Sequence, residues 1–371
     1  MDRRSFLSKS AVGSISAMMP FGASASPFVS LHSTAMEKKP TTTTKSLSQK
    51  SGFGGVAIGN GFQVNPDGDC IAAVQAAWDA GVRFFDTSPW YGLGISERRL
   101  GLALSDKPKD AYTLSTKIGR ILHPHEDFDL SHTIWKGKLN FRYTYDYSAE
   151  GVRRSVEDSL QRLGLSSLDI VFIHDLSPDN GDMKEDWVTY FDAAAKGAMP
   201  ELTKMRDEGI IKGWGFGVNT IEPILKAMEV ADPNVFLSAC QYSLIKHEDL
   251  LERVFPKVAA RDISVVVGAP LCAGFLSGKD RYLYGGTFPE GVREKLAALQ
   301  RVAANHHVDL RTAALQFSAA PNSVSAVIPG AHTVQQVEEN AASFTAVIPG
   351  AFWEELKHER LISASAPIPN S

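Results

Sequence analysis

Four ionisable residues close short apolar runs or follow one closely. Asp86 ends "VRFFD", Tyr91 comes five residues later, Lys117 ends "YTLSTK" and His174 ends "DIVFIH". An ionised carboxylate or ammonium at the end of a buried segment is costly unless it is paired. Once paired, the two charges have a use. A free tyrosine, with a pKa of about 10, is a poor base at neutral pH, and an ammonium alongside favours the phenolate and lowers that pKa. Asp86 would hold the Lys117 amine, Lys117 would tune Tyr91, and His174 would hydrogen-bond a substrate oxygen and orient it toward the phenol. Such a proton-transfer group contributes roughly 10²–10⁴-fold in rate. Each residue also has a plain structural role open to it: a turn or cap for Asp86, a snorkelling Lys117, a satisfied core His174, a loop aromatic in Tyr91. That account needs four independent coincidences. The catalytic account needs a scaffold that gathers the run ends.

Alternation along the chain supplies one. From Gly52 onward those three runs are joined by "GFGGVAI", "IIKGWGFGV", "VFLSACQ", "ISVVVGA" and "SAVIP", rich in Val, Ile and Phe and bounded by Gly, Pro, Asp or Asn. Each suits a parallel strand buried on both faces. Between them lie amphipathic stretches such as "DCIAAVQAAWDAG", "AEGVRRSVEDSLQRLG" and "AMPELTKMRDEG", each closed by a glycine where a helix would end. The alternation predicts an α/β fold, a single (β/α)8 TIM barrel. A doubly wound open sheet is the alternative, although "GFGGVAIGNG" offers no G-x-G-x-x-G opening a helix. In a barrel the C-terminal strand ends share one rim, so Asp86, Lys117 and His174 would converge there with Tyr91 on the adjoining loop. Residues 118–148 and 175–197 read as two long loops over that face, a length usual for lids or binding loops. "AVIPGA" occurs at 326–331 and again at 346–351, too close for another β/α unit, and is read as coincidence.

Over 371 residues the chain is 44% hydrophobic and 22% charged, with a formal net charge of -4, ordinary values for a globular protein. No basic excess points to nucleic acid, and no block of like charge to an interaction tail. Cys70, Cys240 and Cys272 are too few and too scattered for a disulfide framework or a zinc site. They are read as packing residues, and no metal is expected. The first 25 residues form a separate unit. Arg3 and Arg4 precede Phe6 and Leu7, the apolar stretch "AVGSISAMMPFGASA" follows, and Ala23-Ser24-Ala25 makes a small-x-small cleavage site. This is the layout of a secretory signal, and the paired arginines favour the twin-arginine route. The apolar stretch is short for a membrane span, so none is expected after leader cleavage. The export machinery is then a partner, and the protein is expected in the periplasm or otherwise exported, or in the cytoplasm if the leader is unused. Residues 26–46, with "KKPTTTTK", read as a linker, which leaves 47–371 as the barrel domain.

Asp86, Tyr91, Lys117 and His174 match, in order and context, the catalytic tetrad of the aldo-keto reductase superfamily. "GVRFFDTSPWYGLGISERRLG", "RRSVEDSLQRLGLSSLDIVFIHD", "MRDEGIIKGWGFGVN" and "AVIPGAHTVQQVEEN" resemble that family's sequence blocks, over roughly residues 50–360. "YDYSAEGVRRSVEDSLQRLGLSSLDIVFIHD" and "VVGAPLCAGFLSGK" are most similar to the branch of sugar 1-dehydrogenases and pyridoxal 4-dehydrogenases, which oxidise a cyclic hemiacetal to a lactone with a nicotinamide cofactor. The resemblance implies an NAD(P)-dependent oxidoreductase that moves a hydride between nicotinamide and a small aldehyde, hemiacetal or hydroxyl substrate, a sugar or pyridoxal-like compound. The alternatives are a general NADPH-dependent carbonyl reductase and a cofactor-sensing regulatory subunit of the same fold. The intact tetrad speaks against the second.

The resemblance also assigns cofactor contacts, with departures. Gly268, in "VVVGAPL", stands where many members carry an aromatic that stacks on the nicotinamide, and Pro270 and Leu271 follow it in the same contact segment. The familiar "GVSN" is here "GVN", which keeps Asn219 for the carboxamide without its serine partner. Gln241 offers another carboxamide contact, two residues beyond the usual position, which holds Ala239. NADP-preferring members place a lysine, a serine and an arginine around the 2′-phosphate, where this chain has Gly330, Ala331 and Gln336. A phosphate dianion without a cation binds poorly. NAD is therefore favoured over NADP, with His332 as a source of partial charge, while Glu339 and Asn340 match the residues that hold the adenine. Trp90, Trp135 and Trp187 are candidate substrate contacts, since aromatic faces suit sugars and pyridine rings alike. Packing the loops down is the other use open to them.

Overall fold

The computed structural model describes residues 46–183, 186–285 and 287–369. The leader expected over 1–25 and all but the last residue of the 26–46 linker lie outside the described residues.

Each of the eight apolar runs becomes one parallel strand. In spatial order they are β1 (Phe53–Gly54), β2 (Phe84–Asp86), β3 (Thr113–Ile118), β6 (Ile170–His174), β7 (Gly213–Val218), β8 (Val235–Ala239), β9 (Ser264–Gly268) and β10 (Val324–Ile328). Parallel bridges from Ser51 to Val327 and from Gly54 to Gly330 close the sheet between its first and last strands. The runs are continuously apolar because both strand faces are buried. Phe172, Leu237, Val266 and Ile328 fill the barrel interior, whereas Val265 and Val267 pack outward under the helices. Among the described residues the helices are α1 (Asp67–Asp79), α2 (Ile95–Leu104), α3 (Ala149–Leu163), α4 (Trp187–Lys196), α5 (Ala198–Asp207), α6 (Glu222–Val230), α7 (Phe255–Ala260), α8 (Val292–Asn305), α9 (Leu310–Ala319), α10 (Val334–Ser343) and α11 (Gly350–His358). The sequence signals for α3 operate as written. Ser148 caps it by accepting from the Gly151 N–H at 3.0 Å, and Gly164 ends it in the left-handed region at φ 65.

Both long connections carry structure of their own, unlike the plain loops expected. Residues 118–148 contain an antiparallel hairpin, β4 (Arg120–Pro124) paired with β5 (Phe141–Tyr145). Gly119, at φ 114, turns β3 into β4, and a Cβ there would meet the Tyr147 ring at 2.8 Å. Residues 175–197 include α4, which forms because its register buries Phe191 and Ala194.

The repeated hexapeptide adopts two unrelated conformations. At 326–331 it runs from β10 into the following turn, and Val327 is 0% exposed. At 346–351 it leads into α11, and Val347 is 91% exposed. Tertiary context, not local sequence, decides between them.

Candidate active site

Three strands build the centre. Asp86 on β2 lies in register with Ser115 on β3, Lys117 lies one β3 pleat further on, and His174 ends the next strand, β6. Lys117 Nζ donates to Asp86 Oδ1 and Oδ2 at 2.9 and 2.7 Å and to the Thr87 carbonyl at 2.7 Å. Asp86 Oδ1 also accepts from Ser115 Oγ at 2.7 Å. Both charged side chains are 1% exposed. Burial raises the Asp86 pKa and lowers that of Lys117, and their pairing opposes both shifts. With every ammonium proton accepted, the pair stays ionised at neutral pH.

Tyr91 lies against this pair. Nζ of Lys117 is 4.7 Å from its ring centroid, and the His174 ring meets it edge-on with centroids 5.7 Å apart. One expectation is corrected here. The phenol is pushed well above its usual pKa, first by burial and next by the Asp86 carboxylate. The Lys117 charge is neutralised by Asp86 and leaves Tyr91 a protonated phenol. His174 is held well below the usual imidazole pKa by burial first, then by the Lys117 and Arg120 charges, so it is neutral. Two neighbours bear on its tautomer: Ser88 Oγ is 3.0 Å from His174 Nδ1 and accepts from the Trp90 N–H at 3.1 Å, and Asp175 Oδ1, which can only accept, stands 3.5 Å from Nε2. The carboxylate favours the imidazole proton on Nε2, and the Ser88 hydroxyl then donates to Nδ1.

Tyr91, Lys117 and His174 open onto one cavity of about 240 Å³, walled by Trp90 and Trp135 and lined also by Asn219. Asp86 acts behind Lys117. Trp187 lies apart from the cavity. On α4 it meets Phe191 edge-on with centroids 6.1 Å apart, and the Lys226 amine lies 5.9 Å from its ring. It is a packing residue. Sequence reasoning also missed residues that shape the cavity. Asp175 and Tyr284 line it, and Arg120, 5% exposed, pairs with Asp175 Oδ2 at 2.9 Å. The only available signals were adjacency, with Ser88 two residues past Asp86, Asp175 next to His174 and Arg120 three past Lys117.

Residues 51–359 match the sequence profile of the Aldo/keto reductase family. The chain belongs to that family. Its members are NAD(P)-dependent oxidoreductases, so this chain is an enzyme of that type. The chain is 33% identical over 299 residues to a D-threo-aldose 1-dehydrogenase of Pseudomonas sp, covering 78% of this chain and 87% of the relative. It is 32% identical over 329 residues to a pyridoxal 4-dehydrogenase of Microbacterium luteolum, covering 85% and 94%. The fold is similar to that of an aldo-keto reductase from Bacillus halodurans in its holo form, with TM-score 0.63 and 22% identity over 85% of this chain and 93% of that one.

The cavity of this aldo-keto reductase suits a nicotinamide, with flat apolar walls and an amide at Asn219 to meet a carboxamide. Asn219 is itself held, since its carbonyl accepts from Gln241 Nε2 and its Nδ2 donates to Asp179 at 3.1 Å. A Cβ on Gly268 would lie 3.1 Å from Ala239 Cβ and 3.2 Å from Leu237 Cδ2, so any side chain at that strand position needs these neighbours to give way. Tyr284, after β9, brings an aromatic to the cavity. Pro270 is buried, and Leu271 packs on the core beside it.

At the other end, Gly330 is exposed and Ala331 buried just before α10. Gln336 Oε1 accepts from the His332 N–H at 3.0 Å. His332 is held below the usual imidazole pKa by burial first, then by the Lys279 charge, and so carries no charge at neutral pH. Glu339 is engaged by Arg311 and Gln335, and Asn340 is buried. The cations nearby come from the segment after β9: Lys279, and Arg281, whose guanidinium lies 3.6 Å over the Phe62 ring.

Proposed function

We propose that this aldo-keto reductase oxidises the C1 hydroxyl of a cyclic aldose to the lactone and prefers NAD as the hydride acceptor. The observation that carries the reading is one cavity in which Tyr91, Lys117 and His174 face the aromatic walls Trp90 and Trp135. The similarity to a D-threo-aldose 1-dehydrogenase supports the sugar. The similarity to a pyridoxal 4-dehydrogenase makes a pyridoxal hemiacetal the second substrate class to assay.

The chain's own residues supply binding and proton transfer. His174, neutral and protonated on Nε2, donates to the reacting oxygen and fixes it beside Tyr91. Lys117, locked by three acceptors, holds its amine over the phenol ring with its charge paired to Asp86. A nicotinamide held against the cavity walls and Asn219 would supply the acceptor for the C1 hydride. In oxidation Tyr91 Oη, in its deprotonated form, takes the O1 proton. In reduction the protonated phenol returns it. Trp90 and Trp135 exclude water from the sugar's apolar face. The absence of a cation at Gly330, Ala331 and Gln336, with His332 neutral, supports the preference for NAD.

The test is a panel of D- and L-aldoses and pyridoxal with NAD and with NADP, read by reduced-nicotinamide absorbance, beside carbonyl reduction with NADH and NADPH. Oxidation of an aldose with NAD is expected. Turnover confined to carbonyl reduction with NADPH would replace this reading with the general reductase.

We further propose that the protein is exported by the twin-arginine route and takes up its cofactor before export. Arg3, Arg4 and the Ala23-Ser24-Ala25 site support this. Arg3→Lys with Arg4→Lys should leave uncleaved protein in the cytoplasm. Equal cleaved protein outside the inner membrane in both forms would sink the proposal.

A further inference from the structure

Asp175 is placed in the cavity by its backbone. It follows the last residue of β6 at φ 47, in the left-handed region. Its N–H donates to the Gly217 carbonyl at 2.9 Å, and its own carbonyl accepts from Asn180 Nδ2 at 2.8 Å. The two carboxylate oxygens differ. Oδ2 accepts from Arg120 Nη1 at 2.9 Å. The Arg120 guanidinium is in turn fixed against Trp90, Tyr145 and Tyr143, at 4.5, 5.0 and 5.4 Å from the ring centroids. Oδ1 receives no hydrogen bond from the described residues and stands 3.5 Å from His174 Nε2.

His174 is neutral, so this is no ion pair. It is a donor and an unused charged acceptor side by side, on a cavity whose other walls are largely apolar. Asp175 is partly exposed and lines the cavity, so a donor for Oδ1 can come from a bound molecule there. A substrate oxygen on Nε2 brings the hydroxyl of the neighbouring carbon within reach of Oδ1. We propose that Asp175 is a specificity residue whose Oδ1 accepts a hydrogen bond from the hydroxyl next to the reacting carbon. The site then selects 2-hydroxy aldoses and rejects 2-deoxy analogues and substrates with a carboxylate at that position. Arg120 is its positioning residue. The inference rests on the sugar reading above and names the contact that would enforce it.

The preferred aldose of the panel is compared with its 2-deoxy and 2-amino-2-deoxy analogues. Wild type should prefer the aldose over the 2-deoxy sugar by about ten- to a hundredfold in kcat/KM, the range of a hydrogen bond to a charged group. The 2-ammonium sugar should outperform the 2-deoxy sugar, because only a carboxylate welcomes that charge. Asp175→Asn keeps the shape and tolerates a positive φ. It should bring the aldose to 2-deoxy ratio to within about threefold of unity and abolish the ammonium advantage. General damage to the site lowers all three rates and leaves their ratios alone. A wild-type ratio near one, or a large ratio that survives Asp175→Asn, overturns the assignment while leaving aldose oxidation intact. If Asp175→Asn does not fold, the ammonium series on wild type decides. If no aldose is turned over, the proposed function falls first and this inference with it.

Discussion

The two ends of the proposed active site are built on opposite principles. At the tetrad, a carboxylate and an ammonium are each 1% exposed and bound to one another, and a buried histidine sits between a buried serine at Nδ1 and the Asp175 carboxylate near Nε2. Asp86, Lys117 and His174 are each expensive to bury, and each is held by another group. At the turn before α10, the residues facing the expected adenosine end are an exposed glycine, a buried alanine and a glutamine that satisfies a backbone N–H. Nothing there is expensive. The chemistry end is therefore fixed by mutual constraint, whereas the cofactor end is open to change by a single side chain.

The largest effect should come from removing one oxygen at the constrained end. Tyr91→Phe keeps the ring that packs on Trp135 and deletes the proton carrier. Turnover should fall about 10²–10⁴-fold with nicotinamide affinity close to wild type, checked by steady-state kinetics and dinucleotide titration. A variant that kept more than about a tenth of wild-type turnover would break the comparison at its strongest point.

Stability separates function from folding at the same corner. Lys117→Met strands the Asp86 carboxylate in the core and should cost roughly 3–5 kcal/mol by urea denaturation. Removing both charges, as Asp86→Leu with Lys117→Met, should recover most of that loss, because a buried pair is often no better for folding than apolar residues. Activity should stay lost in both variants. Recovery of activity in the double variant would show that the pair serves packing alone.

The same contrast explains what could be read from the sequence. Parallel strands buried on both faces must be apolar throughout, so all eight runs were visible, and a charge closing such a run, as at Asp86, Lys117 or His174, stood out. Asp175 did not, because its entry to the cavity depends on a left-handed φ rather than on any period. Arg120 was hidden in a connection read as a loop. The alternate tyrosines at 143, 145 and 147 were the period-2 signal that would have revealed β5. Trp135 and Trp187 looked alike in sequence, and only tertiary packing puts the first on the cavity and the second on α4. Local chemistry could not show that Asp86 would cancel the Lys117 charge that Tyr91 was expected to feel.

At the permissive end, one residue should suffice to change cofactor choice. Gln336→Arg puts a guanidinium where a 2′-phosphate could be met bidentately, worth roughly 1.5–3 kcal/mol. NADP affinity should rise by about one to two powers of ten relative to NAD. Titrating both forms with both dinucleotides measures it. A wild type that already favours NADP would redirect attention to Lys279 and Arg281, since His332 is neutral.

The smallest effect is graded rather than all-or-none, and it returns to Tyr91. Burial and Asp86 hold the phenol above its usual pKa, so the free site carries the proton at neutral pH. Reduction uses that protonated form, and its kcat/KM should stay flat from neutral pH to about pH 9. Oxidation needs the deprotonated form, whose fraction grows about tenfold per pH unit below the pKa, so its kcat/KM should climb with pH over the same interval. His174 adds no inflection near its ordinary pKa, because burial with Lys117 and Arg120 holds it neutral well below that point. A climb in oxidation beside a flat reduction would place the titrating proton on Tyr91. An acid limb near pH 6.5, common to both directions, would mean that His174 titrates like a solvent-exposed imidazole, and that the constrained end is looser than its hydrogen bonds imply.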